Sequence, residues 1–478
     1  MIRFIELSNE TLFLYYLLSN LIYLVLLGTA VFASVSHQRR LASIRLEWLK
    51  ASPLTPPITL LVPAHNEEKS IAGSVRSLLA LEYQLLEVIV INDGSTDQTL
   101  AELRREFHLQ PANLLYIAEL RTAPVRGIYV SPDEPRLLVL DKESAGSKAD
   151  AVNAGLNAAS SPYVGVVDAD SVLEKDALLR VMLSVLADPR RVVATGGIVR
   201  VMNGSRIVQG QLREVLLPRR PLEVLQVIEY LRAFLIGREA WAHFNMLVII
   251  SGAFGVFRRD LVKQVGGYRV SAIGEDFDLI ARLHRHLRKQ GADYQISFVA
   301  DPVCWTEAPS DMPSLRRQRA RWQKGLCDVL WRNRDMLFRS PYGRLGWLAL
   351  PYQWFFELLA PLVELVGYTT MLLAALLGVL SREFFLQFLV FGYAFATLLS
   401  IGAVLQEEIT YRRYNNWRDV TRLICFCFFE HFPYRQLQMV WRLQGMWQYL
   451  RGDAAWGKMK RVGIAASPTA GEPQNMRR

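Results

Sequence analysis

Carboxylates follow apolar runs at three places in this chain, and their types and spacing suit phosphate and proton chemistry. Asp93 is at the first place, Asp168 and Asp170 are at the second, and Glu275 and Asp276 are at the third. A diphosphate leaving group needs its charge neutralised as its bond to carbon breaks, usually by Mg²⁺ or Mn²⁺ held between carboxylates and the phosphates themselves. A further carboxylate can take the proton of an attacking hydroxyl. Together the three places predict a site for a diphosphate donor and a hydroxyl acceptor.

Asp168 and Asp170 are the candidate metal ligands. They follow the apolar run at 163–167, at the C-terminal end of a predicted strand, where open α/β sheets bind ligands. Because side chains alternate along a strand, both carboxylates would point the same way and approach one cation. The alternative is a turn with two solvated aspartates, and the pair alone does not decide between the two readings.

Asp93 belongs to an Asn-Asp-Gly-Ser-Thr-Asp run at 92–97 that follows another apolar strand. Its carboxylate can accept a hydrogen bond from a nucleobase or a ribose, and Gly94 allows the backbone to approach a ligand closely. The alternative is an ordinary β-turn followed by a helix cap at Thr96 or Asp97. Both readings can hold, because a cap and a ligand contact use different residues.

Glu275 and Asp276 are the candidate catalytic pair, in a Gly-Glu-Asp run after a Gly-Gly-Tyr turn. A carboxylate on the acceptor side can take the proton of the attacking hydroxyl, and Asp276 is the candidate base. The alternative is a helix N-terminus rich in acids, which the helix dipole favours. Taken singly, this pair fits the alternative better.

The run Gln-Arg-Ala-Arg-Trp at 318–322 is more distinctive. On a helix Gln318, Arg321 and Trp322 share one face through i,i+3 and i,i+4 spacing. An arginine beside an indole can hold a departing diphosphate while the ring packs against an acceptor sugar. The alternative is a basic interfacial helix, which is the preferred reading for Arg316, Arg317 and Lys324.

The elements that must position these residues alternate between strands and amphipathic helices. Strands are predicted at 58–62, 86–91, 137–140 and 163–167, and helices at 69–81, 97–107 and 147–159. This alternation predicts an α/β domain with a mostly parallel sheet. The stretch 109–135 interrupts it with prolines and little periodicity, and is interpreted as an inserted loop of unknown role.

Membrane helices best explain the composition, since 51% of the 478 residues are hydrophobic. Residues 12–35 are almost wholly apolar, and roughly 20 such residues span a hydrocarbon core. A cleaved signal peptide fits poorly, because the run is too long and two Glu precede it against one Arg. Arg39, Arg40 and Lys50 follow the run, so the positive-inside rule places the central block in the cytoplasm.

The chain divides into five predicted units. They are an N-terminal unit (1–50), a catalytic domain (51–310), interfacial helices (311–344), a membrane region (345–450) and a partly disordered cytosolic tail (451–478). The membrane region is expected to hold spans at 355–380 and 384–405, then a re-entrant or surface hairpin at 419–450 around Pro433. An apolar stripe at 222–244 predicts either a membrane-surface helix or a buried one.

Charge and cysteine content exclude other classes of function. The net charge is +10, but the basic residues cluster beside apolar runs, so lipid headgroups rather than nucleic acid are the expected partner. The four cysteines include no Cys-x-x-Cys pair and indicate neither a disulfide framework nor a zinc site.

The order of these motifs resembles the processive membrane branch of family 2 glycosyltransferases, which includes cellulose, hyaluronan and poly-N-acetylglucosamine synthases. The resemblance covers roughly 55–345 and is nearest to the poly-N-acetylglucosamine synthases. It implies a cytosolic GT-A domain with N- and C-terminal transmembrane and interfacial helices. It also implies inverting, metal-dependent transfer from a UDP-sugar, with UDP-N-acetylglucosamine as the best expectation, to a glycan acceptor at the inner membrane. An accessory membrane or export subunit is a further expected partner.

The resemblance also assigns roles. It implies that Asp93 contacts the uridine, that Asp168 and Asp170 serve the diphosphate and the metal, and that Asp276 is the base. By the same resemblance Gln318, Arg321 and Trp322 bind the acceptor end and the diphosphate. The remaining positions that match the family pattern are Ala64, Glu67 and Lys148 in the nucleotide pocket, and Gly252 and Ala253 in the acceptor-side loop.

Two departures from the family pattern stand out. Gly274 replaces the usual Thr of Thr-Glu-Asp, and no regulatory domain of the bacterial cellulose synthase kind follows the membrane region. Two other functions stay open at this point: transfer of a single sugar to a lipid or lipid-linked acceptor, and a glycosyltransferase-like receptor or scaffold without turnover. Glu357 and Glu364 lie on one helix face. They are interpreted either as lining or supporting an exit path for polymer, or as pairing with a neighbouring helix or lying at the headgroup layer.

Overall fold

The computed structural model describes residues 2–43, 46–50, 52, 55–208, 210–414 and 416–453. A ten-stranded sheet in the order β3-β4-β5-β2-β1-β6-β11-β8-β12-β7 forms the centre, and β9 and β10 make a separate hairpin. The strands are β1 (Ile58–Ala64), β2 (Leu86–Asp93), β3 (Gln110–Pro111), β4 (Val125–Val130), β5 (Leu137–Lys142), β6 (Tyr163–Val167), β7 (Val172–Leu173), β8 (Val192–Val201), β9 (Arg206–Val208), β10 (Gln211–Glu214), β11 (Phe254–Arg258) and β12 (Gln295–Thr306).

The prediction of a mostly parallel sheet holds in part: the sheet is mixed, and β8 and β12 form a further parallel pair. Strands β5, β2, β1 and β6 run parallel, as the alternating pattern predicts. Beyond them β11 is antiparallel to both β6 and β8, and β4 is antiparallel to β5 at the other edge. The sheet is therefore mixed, because hydrophobic periodicity identifies a strand but not the direction in which a long connection returns it to the sheet.

The stretch 109–135 is not the structureless loop that the sequence suggests. It contributes β3 and β4, which extend the sheet edge beside β5. Its middle is fastened to the domain where Leu120 N donates to Asn157 Oδ1 (2.9 Å) and Asn157 Nδ2 donates to Leu120 O (2.9 Å). The prolines and the weak hydrophobic alternation of this stretch do not predict these strands, because strands at the edge of a sheet are only partly buried.

Seventeen α-helices are described, together with short π and 3₁₀ segments. The helices are α1 (Ile2–Ser43), α2 (Leu46–Lys50), α3 (Ile71–Leu79), α4 (Thr99–Glu106), α5 (Lys148–Ala158), α6 (Ala177–Ala187), α7 (Pro221–Tyr230), α8 (Glu239–His243), α9 (Arg259–Gln264), α10 (Glu275–Lys289), α11 (Met312–Arg332), α12 (Leu350–Tyr352), α13 (Ala360–Leu376), α14 (Arg382–Gln387), α15 (Phe395–Thr410), α16 (Trp417–Phe429) and α17 (Arg435–Leu450).

The core forms two apolar layers, one on each face of the sheet. Leu60 and Val62 on β1 pack into the layer that α3, α4, α6 and α7 cover. Leu61 lies between them in sequence and packs into the opposite layer, against α5, α9 and α10. This alternation follows from the two-residue period of a strand. It leaves the C-terminal ends of β1, β2 and β6 at one edge, where the predicted site residues lie.

The apolar stripe at 222–244 belongs to a buried helical stretch. It comprises α7, a π segment (Leu231–Arg238) and α8, which pack on β8 and on α1. Its residues Val224, Ile228 and Leu235 have no exposed surface. The stretch therefore connects the catalytic domain to the N-terminal helix.

Within the part of the chain that the structure describes, two helices are long and apolar enough to cross a membrane, Ser8–Ser43 and Arg382–Thr410. A third candidate is the pair Leu345–Leu358 and Ala360–Leu376, which is bent by 43°. These positions agree with the predicted spans, although the predicted division of the chain into five units stays a prediction. The predicted tail lies outside the described residues from residue 454 onward.

The predicted hairpin at 419–450 consists of α16, a π segment (Glu430–Tyr434) and α17. The helical backbone breaks at Phe432, beside Pro433. Helix α17 packs along α11, which carries the Gln-Arg-Ala-Arg-Trp run. Whether this stretch enters a membrane stays a prediction.

Candidate active site

Asp93 and Ala64 end two neighbouring parallel strands, β2 and β1, and both are buried. The turns that follow are joined by hydrogen bonds: Asn66 N donates to Ser95 Oγ (3.0 Å) and Thr96 N donates to Asn66 Oδ1 (2.8 Å). Glu67 lies in the first turn, and its carboxylate accepts from Ser70 Oγ (2.7 Å). These predicted nucleotide-side positions therefore share one rigid edge of the sheet.

Gly94 has a φ of +58°, a conformation that L side chains rarely adopt. A Cβ atom there would lie 2.7 Å from the backbone nitrogen of Ser144. The hydroxyl of Ser144 donates to Asp93 Oδ2 (3.2 Å). The glycine is thus required for the close approach that brings Ser144 to Asp93.

Lys142 is a site residue that the sequence analysis missed. It ends β5, next to β2, and its side chain has no exposed surface. Its Nζ contacts Asp93 Oδ1 (2.7 Å) and Asp150 Oδ2 (2.6 Å). A lysine at the end of a strand that begins with four apolar residues is the signal in the sequence that could have revealed it.

Lys148 connects Asp168 to the loop that contacts Asp276. It begins α5, and its Nζ donates to Asp168 Oδ1 and to Gly252 O (2.9 Å). Burial lowers the pKa of Lys148, but the carboxylates of Asp168, Glu275 and Asp276 outweigh that effect and hold the pKa above its ordinary value. Lys148 is therefore a permanent cation between Asp168 and the loop that precedes β11.

Asp276 and Glu275 open helix α10 beside that same loop. Gly252 N donates to Asp276 Oδ2 (3.1 Å), and Phe277 N donates to Asp276 Oδ1 (2.8 Å). Burial raises the pKa of Glu275 to about 7, and the charge of Asp276 adds to this effect while Lys148 opposes it. The acid-rich helix N-terminus and the catalytic interpretation both fit, because the Asp276 carboxylate also reaches the loop at Gly252.

Asp168 and Asp170 flank the buried Ala169 directly after β6, and the backbone of Asp168 bonds to Ala253 O (3.4 Å). Both carboxylates lie near the Cys304 thiol, whose pKa is raised first by burial and then by their charges. Among the described residues no group of three or more Asp, Glu, His and Cys could hold a metal ion. This donor set fits Mg²⁺ or Mn²⁺ only if phosphate oxygens complete the coordination, which is the usual arrangement for a nucleotide-bound cation.

Helix α11 brings the Gln-Arg-Ala-Arg-Trp run to the start of α10. Its Gly325 packs against Gly274, where a Cβ on Gly325 would lie 3.4 Å from Gly274 Cα. The same helix holds the preceding residue through a bond from Ile273 N to Asp328 Oδ2 (3.1 Å). The charge of Arg321 consequently reaches Glu275 and lowers its pKa.

Trp322 is 43% exposed, and its ring centroid lies 6.4 Å from that of Tyr230. The guanidinium of Arg319 lies 4.3 Å from the Trp322 ring and pairs with Glu229 at 2.7 Å. Gln318 accepts a hydrogen bond from Arg319. The structure thus joins Trp322 and Gln318 through Arg319, a buried residue to which the sequence analysis gave no role.

Arg238 is a second cation near the candidate base. It ends the π segment Leu231–Arg238, and its guanidinium lies 3.8 Å from the Phe234 ring. Burial lowers the pKa of Arg238 to about 10, and the charge of Asp276 opposes that shift. Nothing in its local sequence distinguishes this arginine from an interfacial one.

Glu357 and Glu364 differ in their surroundings. Glu364 Oε1 accepts two hydrogen bonds from Arg435 (2.6 and 2.9 Å) and is 4% exposed. Glu357 Oε1 accepts from the hydroxyls of Tyr352 (3.1 Å) and Tyr23 (3.4 Å). For Glu364 the pairing alternative therefore holds, whereas Glu357 lies among tyrosines and is 3.9 Å from the guanidinium of Arg442.

The chain is similar to several known proteins. The family described as "Glycosyltransferase like family 2" matches residues 56–325, more than half of the chain. A poly-beta-1,6-N-acetyl-D-glucosamine synthase of Staphylococcus aureus (strain COL) is 31% identical over 278 residues, and one of Staphylococcus epidermidis is 30% identical over the same length. These alignments cover 58% of this chain and 56% of each relative, so the chain spans about half the length of the curated relatives it matches.

Among solved structures, a mannosyltransferase of Pyrobaculum calidifontis, in complex with GDP-Man and Mn²⁺, is similar with a TM-score of 0.51. The similarity covers 92% of this chain and 99% of that one at 18% identity. A likeness at this identity concerns the fold alone. It confirms the predicted α/β fold of the GT-A type.

Proposed function

This chain belongs to glycosyltransferase family 2, and from that membership we propose that it is a membrane-embedded, inverting transferase that builds a polysaccharide from a UDP-sugar. The proposed donor is UDP-N-acetylglucosamine, the sugar nucleotide that would serve synthesis of the polymer named in its relatives. Transfer is processive and coupled to export of the product. The catalytic domain faces the cytoplasm of a multi-pass protein in the inner membrane.

One observation carries the proposal: Lys148 and Gly252 connect Asp168, on the side of the sugar donor, to the candidate base Asp276. Lys148 contacts both Asp168 and the carbonyl of Gly252, and the amide of Gly252 holds Asp276. A diphosphate beside Asp168 and a hydroxyl beside Asp276 would thus meet across this loop. Reacting groups held next to each other avoid much of the entropy cost of a bimolecular step.

On the donor side, Asp93 accepts from the uracil, and the turn that contains Glu67 lies beside it. The carboxylates of Asp168 and Asp170 would hold Mg²⁺ or Mn²⁺, which supplies charge neutralisation to the leaving diphosphate. Lys148 and Arg321 add positive charge on the protein side. Together these residues bind the donor and stabilise UDP as it departs.

On the acceptor side, Asp276 takes the proton of the attacking hydroxyl. The hydroxyl oxygen forms a bond to the anomeric carbon while the bond from that carbon to the phosphate oxygen breaks, and UDP leaves with the electron pair. Attack from the face opposite UDP inverts the anomeric centre. Trp322 supports the acceptor sugar, and Gln318 and Ala253 border the place where it lies.

The test is reconstitution of the purified chain in liposomes with Mg²⁺ or Mn²⁺ and a panel of radiolabelled UDP-sugars. We expect long polymer from UDP-N-acetylglucosamine and none from the Asp276→Asn variant. A product with one sugar on a lipid would instead assign the chain to single transfer. UDP binding without turnover of any donor would contradict the proposal and support a receptor or scaffold.

A further inference from the structure

Lys142 has no free donor for a ligand. Its ammonium group has three N–H donors, and three acceptors surround it: Asp93 Oδ1 (2.7 Å), Asp150 Oδ2 (2.6 Å) and the carbonyl of Glu143. The side chain is fully buried. Lys142 can therefore act on a bound nucleotide only through the groups it contacts.

Among the residues that Lys142 contacts, Asp93 is the one that would bind the nucleotide of the sugar donor. Lys142 takes one carboxylate oxygen of Asp93, and the hydroxyl of Ser144 donates to the other at 3.2 Å. The backbone is held as well, since His65 Nδ1 lies 2.7 Å from the carbonyl of Asp93. The carboxylate is thus fixed in one orientation before any nucleotide binds, and a fixed acceptor loses less entropy on binding.

Asp150 extends the same cluster to the edge segment that the sequence analysis left without a role. Its carboxylate accepts from Ala123 N (3.2 and 3.3 Å), and Glu143 N donates to the carbonyl of Pro124 (2.9 Å). One buried lysine consequently connects the Asp93 carboxylate to residues 123–124. Another anchor of the segment, the pair of Glu119 and Lys263 (2.9 Å), does not involve this cluster.

We infer that Lys142 is the positioning residue for the nucleobase: it orients the Asp93 carboxylate so that the protein selects uracil. Uracil presents an imide N–H, which a carboxylate accepts, whereas cytosine has a lone pair at the same ring position. A site built around such a bond rejects the base that lacks the hydrogen, because the buried carboxylate of the protein is then left unpaired. This inference rests on the proposed function, in which Asp93 receives the uridine.

The test measures the Kd of UDP and of CDP by calorimetry on the full chain in detergent. Lys142→Met should weaken UDP binding about tenfold and reduce the preference for UDP over CDP, as should Asp93→Asn. If Lys142 acts through Asp93, the double variant Lys142→Met/Asp93→Asn should bind UDP within about threefold of Asp93→Asn alone. Lys263→Met, which breaks only the ion pair with Glu119, should leave both Kd values within about twofold of the wild type.

A lysine with a purely structural role would lower Tm in Lys142→Met while the folded protein kept its preference for UDP, and that result would overturn the inference. Should Lys142→Met fail to fold because two buried carboxylates face each other, Lys142→Met/Asp150→Asn removes the repulsion and still deprives Asp93 of its partner. Wild-type UDP affinity in that variant would also overturn the inference. Wild-type selectivity in Asp93→Asn would instead contradict the donor assignment in the proposed function.

Discussion

The backbone amide of Gly252 donates a hydrogen bond to the Asp276 carboxylate, with 3.1 Å between N and Oδ2. This bond joins the loop before β11 to the first turn of α10, two segments that are 24 residues apart in sequence. Gly252 also offers its carbonyl to Lys148. A single peptide unit therefore sets the relative positions of the candidate base and of the cation beside Asp168.

Asp276→Asn should abolish turnover while the site stays intact. Asparagine keeps an oxygen that accepts from Gly252 N but cannot take the proton of the acceptor hydroxyl. We expect kcat to fall by about 10²–10⁴-fold with the Kd of UDP changed by less than about threefold. Radiolabel incorporation and calorimetry measure the two quantities, and Asp260→Asn on the surface is the matched control. Normal turnover in Asp276→Asn would exclude it as the base.

Lys148→Met should weaken donor binding. The substitution leaves the Asp168 carboxylate without its cation when a negatively charged diphosphate arrives, so we expect the KM for the UDP-sugar to rise about tenfold. Lys148→Arg keeps the charge and should recover part of the loss. Lys289→Met, at the exposed end of α10, controls for the loss of a lysine in general. A KM unchanged in Lys148→Met would contradict the role of this residue.

Trp322→Ala should shorten the product. The indole is 43% exposed beside Tyr230 and offers a flat surface for a sugar ring. Its removal should therefore let the growing polysaccharide dissociate between additions. Trp322→Phe keeps an aromatic surface and should give intermediate lengths. Gel analysis of radiolabelled polymer measures the distribution. Products of normal length at a reduced rate would show that Trp322 serves chemistry rather than retention of the acceptor.

Glu239 should make stability depend on pH. Burial raises its pKa to about 8; Ser34 Oγ opposes this by donating to its carboxylate (2.6 Å), and Asp301 raises it further. The folded protein thus holds a proton that the unfolded chain releases near pH 4.5. The contribution of Glu239 to stability is therefore complete below pH 4.5, declines as pH rises toward about 8 and is constant above it. We expect Glu239→Gln to flatten the decline of Tm between pH 6 and 9.

Each unit of such a shift corresponds to about 1.4 kcal/mol, so the difference between Glu239→Gln and wild type should be largest above pH 8. Ser34→Ala removes the hydrogen bond but leaves the carboxyl buried, and should keep or steepen the pH dependence. Parallel Tm curves for wild type and Glu239→Gln would show that this carboxyl is ionised throughout.

Glu357→Gln should change polymer yield or length, whereas Glu364→Gln should mainly reduce stability. Glu364 is buried and pairs with Arg435, whose side chain is 34% exposed, so the loss should cost less than the roughly 3–5 kcal/mol of a fully buried ion pair. Glu357 lies among tyrosine hydroxyls, a surface suited to a passing glycan. Product gels and Tm separate the two effects. Unchanged yield and length in Glu357→Gln would exclude Glu357 from an exit path.

The class of fold and most of the candidate site residues follow from local sequence patterns. Apolar runs such as Leu60 to Val62, followed by polar turns, predict buried strands that end at a ligand-binding edge, and the structure places Asp93, Lys148, Asp168 and Asp276 around that edge. Such predictions succeed because strand period and turn chemistry are local properties of the chain.

The strand directions and the partners of each charged group depend instead on the tertiary fold. The antiparallel β11, the strand β4 within 109–135 and the cluster around Lys142 all depend on segments distant in sequence. Arg319 and Lys142 look like ordinary basic residues until burial and a carboxylate 2.7 Å away assign each of them a role. A side chain's function in such a cluster depends on what surrounds it in space, and the order of residues along the chain does not specify those surroundings.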